Sequence, residues 1–183
     1  MRYNVSQLLK ELAGASRRRD LSGEISGLDE HNPGAVSVSG TIDLVRTPRG
    51  ILVTGRASAE LIEPCRRCLE LAKLPVSVEI EEEYVPSVDI ETGTLLSLAD
   101  DVDPELVIDE QHTLDLTQVV REYLIVAGTN NGLCREDCGG LCPQCGQNLN
   151  LGDCGCETDD IDPRWAKLAS ILTDEAQENR KER

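Results

Sequence analysis

The sequence predicts an α+β fold: an antiparallel β-sheet with helices packed on it, followed by a cysteine-rich segment toward the C-terminus. Three observations predict it. Between residues 35 and 85, apolar and polar residues alternate in three successive runs, as in strands with one buried and one wet face. Residues 114–128 carry an apolar stripe at helical spacing instead. Six of the eight cysteines lie between residues 134 and 156. The expected division is an N-terminal helix with a basic run (1–20), a sheet-plus-helix core (21–128), a cysteine-rich segment with a closing helix (129–173) and a polar tail (174–183).

Taken in order, Val5, Leu8, Leu9 and Leu12 fall at helical spacing and Gly14 ends that pattern. Arg17, Arg18 and Arg19 follow, and cations suit a helix C-terminus. Two readings of the triplet stay open, a solvated helix end and an RNA contact. Val36, Val38, Ile42 and Leu44 then share one face of a strand. A turn around Pro48 and Gly50 returns the chain with Ile51, Val53, Ala57, Ala59 and Leu61 inward. A third strand, Leu74 to Val85, sets Val76, Val78, Ile80 and Tyr84 against Ser77, Glu79, Glu81 and Glu83. Pro86 to Pro104 reads as an acidic, irregular excursion, and Glu105 to Asp109 as a short strand. Asp115 is the expected N-cap of the clearest helix, with Gln118 completing a capping box. Leu116, Val119, Val120, Tyr123, Leu124 and Ala127 form its stripe, and Gly128 ends it. A last helix is expected from Asp162-Pro163, burying Trp165, Leu168, Ala169 and Leu172.

With no Phe, one Trp and three Tyr, the core must be aliphatic. The cysteine segment has no apolar periodicity, so burial cannot order it and a cross-link must. Cys142-Pro-Gln-Cys145-Gly146 decides its kind. A two-residue gap puts two thiolates on one side of a tight turn, and the glycine allows the positive φ that aims backbone N–H groups at sulfur. This is a zinc knuckle, preferred over disulfides, a redox centre or an iron–sulfur cluster. Cys142 and Cys145 are the firmest candidate ligands. Cys154 and Cys156 lie across an intervening loop, long enough to fold back and close a tetrahedron. Their single-residue gap strains joint ligation, so Cys138 or Cys134 is an alternative. A second site including Cys65 and Cys68 would use all eight thiols. Arg66 and Arg67 stand between that pair, where they would lower thiol pKa values. His31 and His112 are expected as exposed loop residues rather than ligands.

The run from Leu133 to Cys156, Asp162-Pro163-Arg164 and the Cys65-Arg-Arg-Cys68-Leu69 box resemble the signatures of the YceD family. The resemblance spans about Leu21 to Leu172. It implies a part in accumulation of large-subunit ribosomal RNA, a process rather than a mechanism.

The net charge is −16. Residues 1–19 carry a local +4, which leaves −20 on the remainder, and residues 74–120 hold thirteen acids and no Lys or Arg. Such a field repels bare nucleic acid and attracts basic surfaces, so a basic ribosomal protein or a pre-ribosomal particle is the expected partner. No segment approaches eighteen apolar residues, and no signal-peptide pattern opens the chain, so a cytoplasmic protein without a membrane partner is expected. In a reducing compartment, clustered cysteines point to metal. Phosphate loops, nucleophile elbows and His-Glu-x-x-His helices are missing from the sequence. An all-cysteine site is closed and structural, so no enzymatic activity is expected. Three functions remain: a non-catalytic ribosome-biogenesis factor, a zinc-knuckle RNA-binding module, and a thiol redox or zinc-sensing protein.

Overall fold

The computed structural model describes residues 1–99, 102–128, 132–156 and Trp165. Two compact units divide the chain, Met1–Gly140 and Leu141–Arg183.

The first unit is mostly β. Five strands lie in the order β2-β3-β4-β5-β6: β2 (Ser16–Ser26), β3 (Ala35–Arg46), β4 (Ile51–Pro64), β5 (Leu71–Pro86) and β6 (Val107–Ile108). The first four pair antiparallel in long, uninterrupted registers. A second, two-stranded ribbon joins β1 (Arg2–Asn4) to β7 (Thr113–Asp115). Two helices are described, α1 (Ser6–Leu9) and α2 (Thr117–Gly128).

The alternation in β3, β4 and β5 is realised as read. Val38, Ile42, Leu44, Ile51, Val53, Ala57, Leu61, Val78, Ile80 and Tyr84 are all buried in one cluster. The opposite face is wet, and the register sets Ser22, Ser39, Ser58 and Ser77 side by side across four strands. Val119, Val120 and Leu124 of α2 belong to the same core as the sheet residues. The buried Tyr84 hydroxyl donates to the Asp115 carbonyl at 3.2 Å, and burial pushes its pKa up.

Several expectations are corrected. The N-terminal helix is a single turn, and Leu12 is 87% exposed, because the chain is drawn onto the sheet margin by the Gly14 N–H donating to Arg46 O at 2.7 Å. Arg17, Arg18 and Arg19 are strand residues of β2, so the expected boundary at residue 20 falls inside a strand. Their side chains therefore alternate. Arg18 forks onto Asp43 at 2.8 and 3.1 Å, while Arg17 bonds Glu11. The sheet is mixed: β6 pairs with β5 in parallel, through Val85–Val107 and Pro86–Ile108. The segment expected as a strand over 105–109 is a 3-10 turn, Pro104–Leu106, leading into β6. Asp115 does accept the Thr117 N–H at 2.9 Å, but Gln118 turns to Glu122 at 3.0 Å, so the box does not close. His112 is half-buried with φ +58°, and its Nδ1 is buried without a partner, unlike an exposed loop residue.

The closing helix lies outside the described residues except for Trp165, which is 58% exposed rather than buried. The loop before β3 is held by Asn32, whose amide donates to Ile62 O at 3.0 Å while its oxygen accepts the Ile62 N–H at 2.8 Å.

Two four-cysteine candidate metal centres

The first centre grows from the turn between β4 and β5. Cys65 follows the last residue of β4, and its N–H donates to Glu70 O at 2.9 Å, closing the turn. Leu69 N–H returns to Cys65 O at 2.8 Å, and Arg67 N–H points at Cys65 Sγ at 3.5 Å. Cys134 and Cys138 complete the set. The incoming segment is tied down by Arg66 N–H to Gly132 O at 3.2 Å and by Arg67 Nη1 to Cys138 O at 3.0 Å. Cys65, Cys68 and Cys138 are buried around Leu133.

The second centre lies within Leu141–Cys156 of the second unit. Leu141 and Asn148 form an isolated antiparallel bridge, and Cys142 N–H donates to Gln147 O at 2.8 Å. Gly146 N–H returns to Cys142 O at 2.9 Å. Cys142, Cys145, Cys154 and Cys156 converge there. Cys154 and Cys156 thus stand together despite their short gap, with Gly155 at φ +70° making the reversal between them.

Both knuckles share one backbone design. Each closes with an N–H from the residue after the second cysteine to the carbonyl of the first, and that residue has positive φ, +62° at Leu69 and +74° at Gly146. Gly146 adopts it freely. Leu69, a branched side chain 64% exposed, carries strain of about 1–3 kcal/mol there. Leu69→Gly loses little packing, and after the entropy cost of glycine it is expected to stabilise the protein by up to about 1 kcal/mol. Denaturant unfolding measures this.

In each set the four sulfurs lie within 4.8 Å of one another. Cys65–Cys138 and Cys68–Cys134 are 3.8 and 3.7 Å apart. Metal–sulfur bonds of about 2.3 Å give a regular tetrahedron an edge of about 3.8 Å. The residues fit a metal ion, and four soft sulfur donors select zinc or iron–sulfur chemistry over harder cations.

Electrostatics point the same way. Backbone N–H groups of Cys134, Cys68 and Arg67, working against burial, hold the Cys65 thiol at about 6. Those of Cys145 and Gln144 hold Cys142 at about 6. Of the two arginines expected to act by charge, Arg67 acts on Cys65 through its backbone N–H, while its guanidinium is turned to Cys138 O. Burial and neighbouring sulfurs push Cys134 up to about 12. Cys145 and Cys154, as hydrogen-bonding neighbours, do the same to Cys156, also to about 12. Each cluster ionises one thiol readily, and full ionisation calls for a cation.

A pH dependence follows. In metal-free protein the lowered thiols, Cys65 and Cys142, contribute stability that is complete above the ordinary value of 9.0 and lost as pH falls through about 6. The raised thiols, Cys134 and Cys156, contribute stability that is lost as pH rises from 9.0 through about 12. Chelated protein is therefore expected to show a thiol contribution peaking near pH 9, whereas metal-loaded protein, with its thiolates fixed, loses stability on the acid side alone. Unfolding midpoints against pH, with and without chelator, check this.

The fold and site define a predominantly β protein carrying two sets of four cysteines, each able to hold a metal ion. The chain belongs to the family described as large ribosomal RNA subunit accumulation protein YceD, whose model matches residues 53–172 and so takes in both sets. An uncharacterized protein of Mycobacterium tuberculosis is 37% identical over 136 residues, 73% of this chain and 61% of the relative. One of Mycobacterium leprae is 30% identical over 122 residues, 67% of this chain and 53% of the relative. The chain thus spans less than two thirds of the length of these relatives. No solved structure matches. No described helix is long and apolar enough to cross a membrane.

Proposed function

We propose that this protein is a non-catalytic factor that supports large-subunit ribosomal RNA accumulation by contacting a basic ribosomal protein or a pre-ribosomal particle, with zinc as the structural cross-link in both cysteine sets. The family match over 53–172 carries the reading. The donor chemistry supports the structural part, because four sulfurs per set leave no open coordination position for substrate or water. The charge supports a protein partner over bare RNA. The arginine triplet adds little to an RNA contact, since strand geometry sends Arg18 to Asp43 on one side and leaves Arg17 with Glu11 on the other.

The test is depletion of the protein in cells, with large- and small-subunit ribosomal RNA quantified, beside capture of the tagged protein at low and high salt. Loss of large-subunit RNA and a basic protein partner released by salt are expected. Unchanged ribosomal RNA levels would overturn the assignment. Direct, salt-dependent binding of purified protein to ribosomal RNA would favour the RNA-binding alternative. Thiols of the metal-loaded protein that alkylate readily would favour a redox or zinc-sensing role.

A further inference from the structure

We propose that the groove between the open edge of β5 and helix α2 docks an extended, lysine- or arginine-rich segment of a partner protein, seating one apolar side chain between Val78 and Val126. This rests on the reading above and gives its basic partner a place and a mode of binding.

Three observations converge. β5 is paired with β4 along its length, but on its other side, among the described residues, it meets β6 only at Val85 and Pro86. The stretch from Ser77 to Glu83 therefore meets no further strand among the described residues. It is capped by Tyr123 at Glu81 and open at Ser77 and Glu79, and an unpaired edge is a template for an added strand. The backbone of Glu81 reaches the Tyr123 hydroxyl across this edge. Backbone groups two residues apart point the same way, so those of Ser77 and Glu79 face outward too.

Beside that edge lies a groove of about 440 Å³ lined by Val78, Glu79, Glu122, Tyr123, Val126 and Ala127. Its floor is apolar, and Val126 is 66% exposed. The Tyr123 hydroxyl is turned away from the groove, donating to Glu82 at 2.9 Å, which leaves the ring as a wall.

Charge selects the occupant. Glu122 and Glu79 rim the groove, Glu79 ion-paired with Arg56 of β4. Further along the strand Glu83 meets Arg49 at 3.7 Å, beside Glu81 and Glu82. Acids still outnumber cations along this edge, and no Lys or Arg occurs between residues 74 and 120. Arg121 is committed elsewhere, to Ser26 O at 2.7 Å and Gly27 O at 2.8 Å. A nucleic-acid backbone is repelled here. A second copy of this chain would set glutamates against glutamates, which is unfavourable for directly opposed strand residues. An added strand alternating cations with apolar residues satisfies edge, floor and rim together.

The probe is a synthetic peptide of alternating Lys and Val, about eight residues long, titrated into the full chain at low and high salt. Three comparisons accompany it: the same peptide N-methylated at alternate backbone nitrogens, the Glu79→Lys/Glu122→Lys variant, and Asp20→Lys/Glu24→Lys on the distant strand β2. Both charge swaps are at surface positions, and matched thermal unfolding confirms that they fold. Wild type is expected to bind, with slowed amide exchange at Ser77 and Glu79. N-methylation and the groove swap should each weaken binding by about tenfold or more, and the β2 swap by much less. Val126→Asp should weaken it without changing net charge near Lys side chains in an unfavourable direction, which separates the apolar seat from the charge. Equal losses from both swaps would mean the general field of the protein does the binding, and unchanged binding of the N-methylated peptide would mean no strand is added; either overturns the proposal. If a basic partner captured from cells binds the groove variant undiminished, this site is wrong and the wider reading stands. If no basic partner is captured by wild type, the wider reading fails with it.

Discussion

Native mass spectrometry of protein purified without chelator is expected to show about two zinc ions per chain, falling to about one in either Cys142→Ser or Cys65→Ser. The two losses should differ in consequence. In the described part of the second unit Cys142 is buried, but Leu151 is 83% exposed and no apolar cluster surrounds the sulfurs. With no apolar cluster among the described residues there, the bound metal is expected to be what orders them, so Cys142→Ser should disorder residues 141–156 and leave the sheet cooperative. Cys65 is 0% exposed and packs with Cys68, Cys138 and Leu133 at the end of the β4–β5 hairpin. Its replacement should release residues 132–138 and fray Pro64 and Leu71, lowering the global unfolding temperature as well. One metal in the wild type would leave one set as a cluster of buried thiols. No metal, with all eight thiols free to react, would remove the structural role assigned to both.

Gly40→Ala is expected to be among the most destabilising substitutions outside the cysteines, by about 3 kcal/mol or more. A Cβ at Gly40 would lie 2.0 Å from the Arg56 carbonyl oxygen, and one at Gly55 would lie 2.3 Å from that of Thr41. Gly40 faces Ala57 and Gly55 faces Ile42 in the β3–β4 register, so the two glycines sit close together on the inner face. There the neighbouring strand's backbone approaches closely, and the obstacle to a methyl group is backbone, which cannot rotate aside. Gly34 supplies the control: a Cβ there meets nothing within 4 Å, so Gly34→Ala should change stability by no more than about 0.5 kcal/mol. Chemical denaturation of both variants decides the matter, and near-equal stabilities would show that the close-packed strands give way freely.

The backbone conformation of the knuckles was half legible. Gly146 after Cys145 announces a positive φ, because glycine is the residue that adopts it without cost. Leu69 after Cys68 announces nothing of the kind. Only the closed turn, with its bond from Leu69 N–H to Cys65 O, shows that the same conformation is imposed on a leucine.

Elements whose evidence is local were legible in the chain alone. A period of two in β3, β4 and β5 marked their buried faces residue by residue, the stripe of α2 marked its packed face, and Cys-x-x-Cys spacing with Gly146 marked the knuckle at Cys142 and Cys145. Those signals are short-range, because side-chain direction follows from backbone geometry within a few residues. Tertiary structure alone decided which strands pair and which thiols meet. β2 carries three consecutive arginines and few apolar residues, so its periodicity is faint; it is a strand because β3 offers it an edge along eleven residues. β6 is two residues long and is defined by its partner. The division of eight cysteines into Cys65, Cys68, Cys134 and Cys138 against Cys142, Cys145, Cys154 and Cys156 was equally out of local reach. It depends on the β4–β5 hairpin bringing residue 65 beside residue 138, a contact set by the folded core across more than seventy residues of chain.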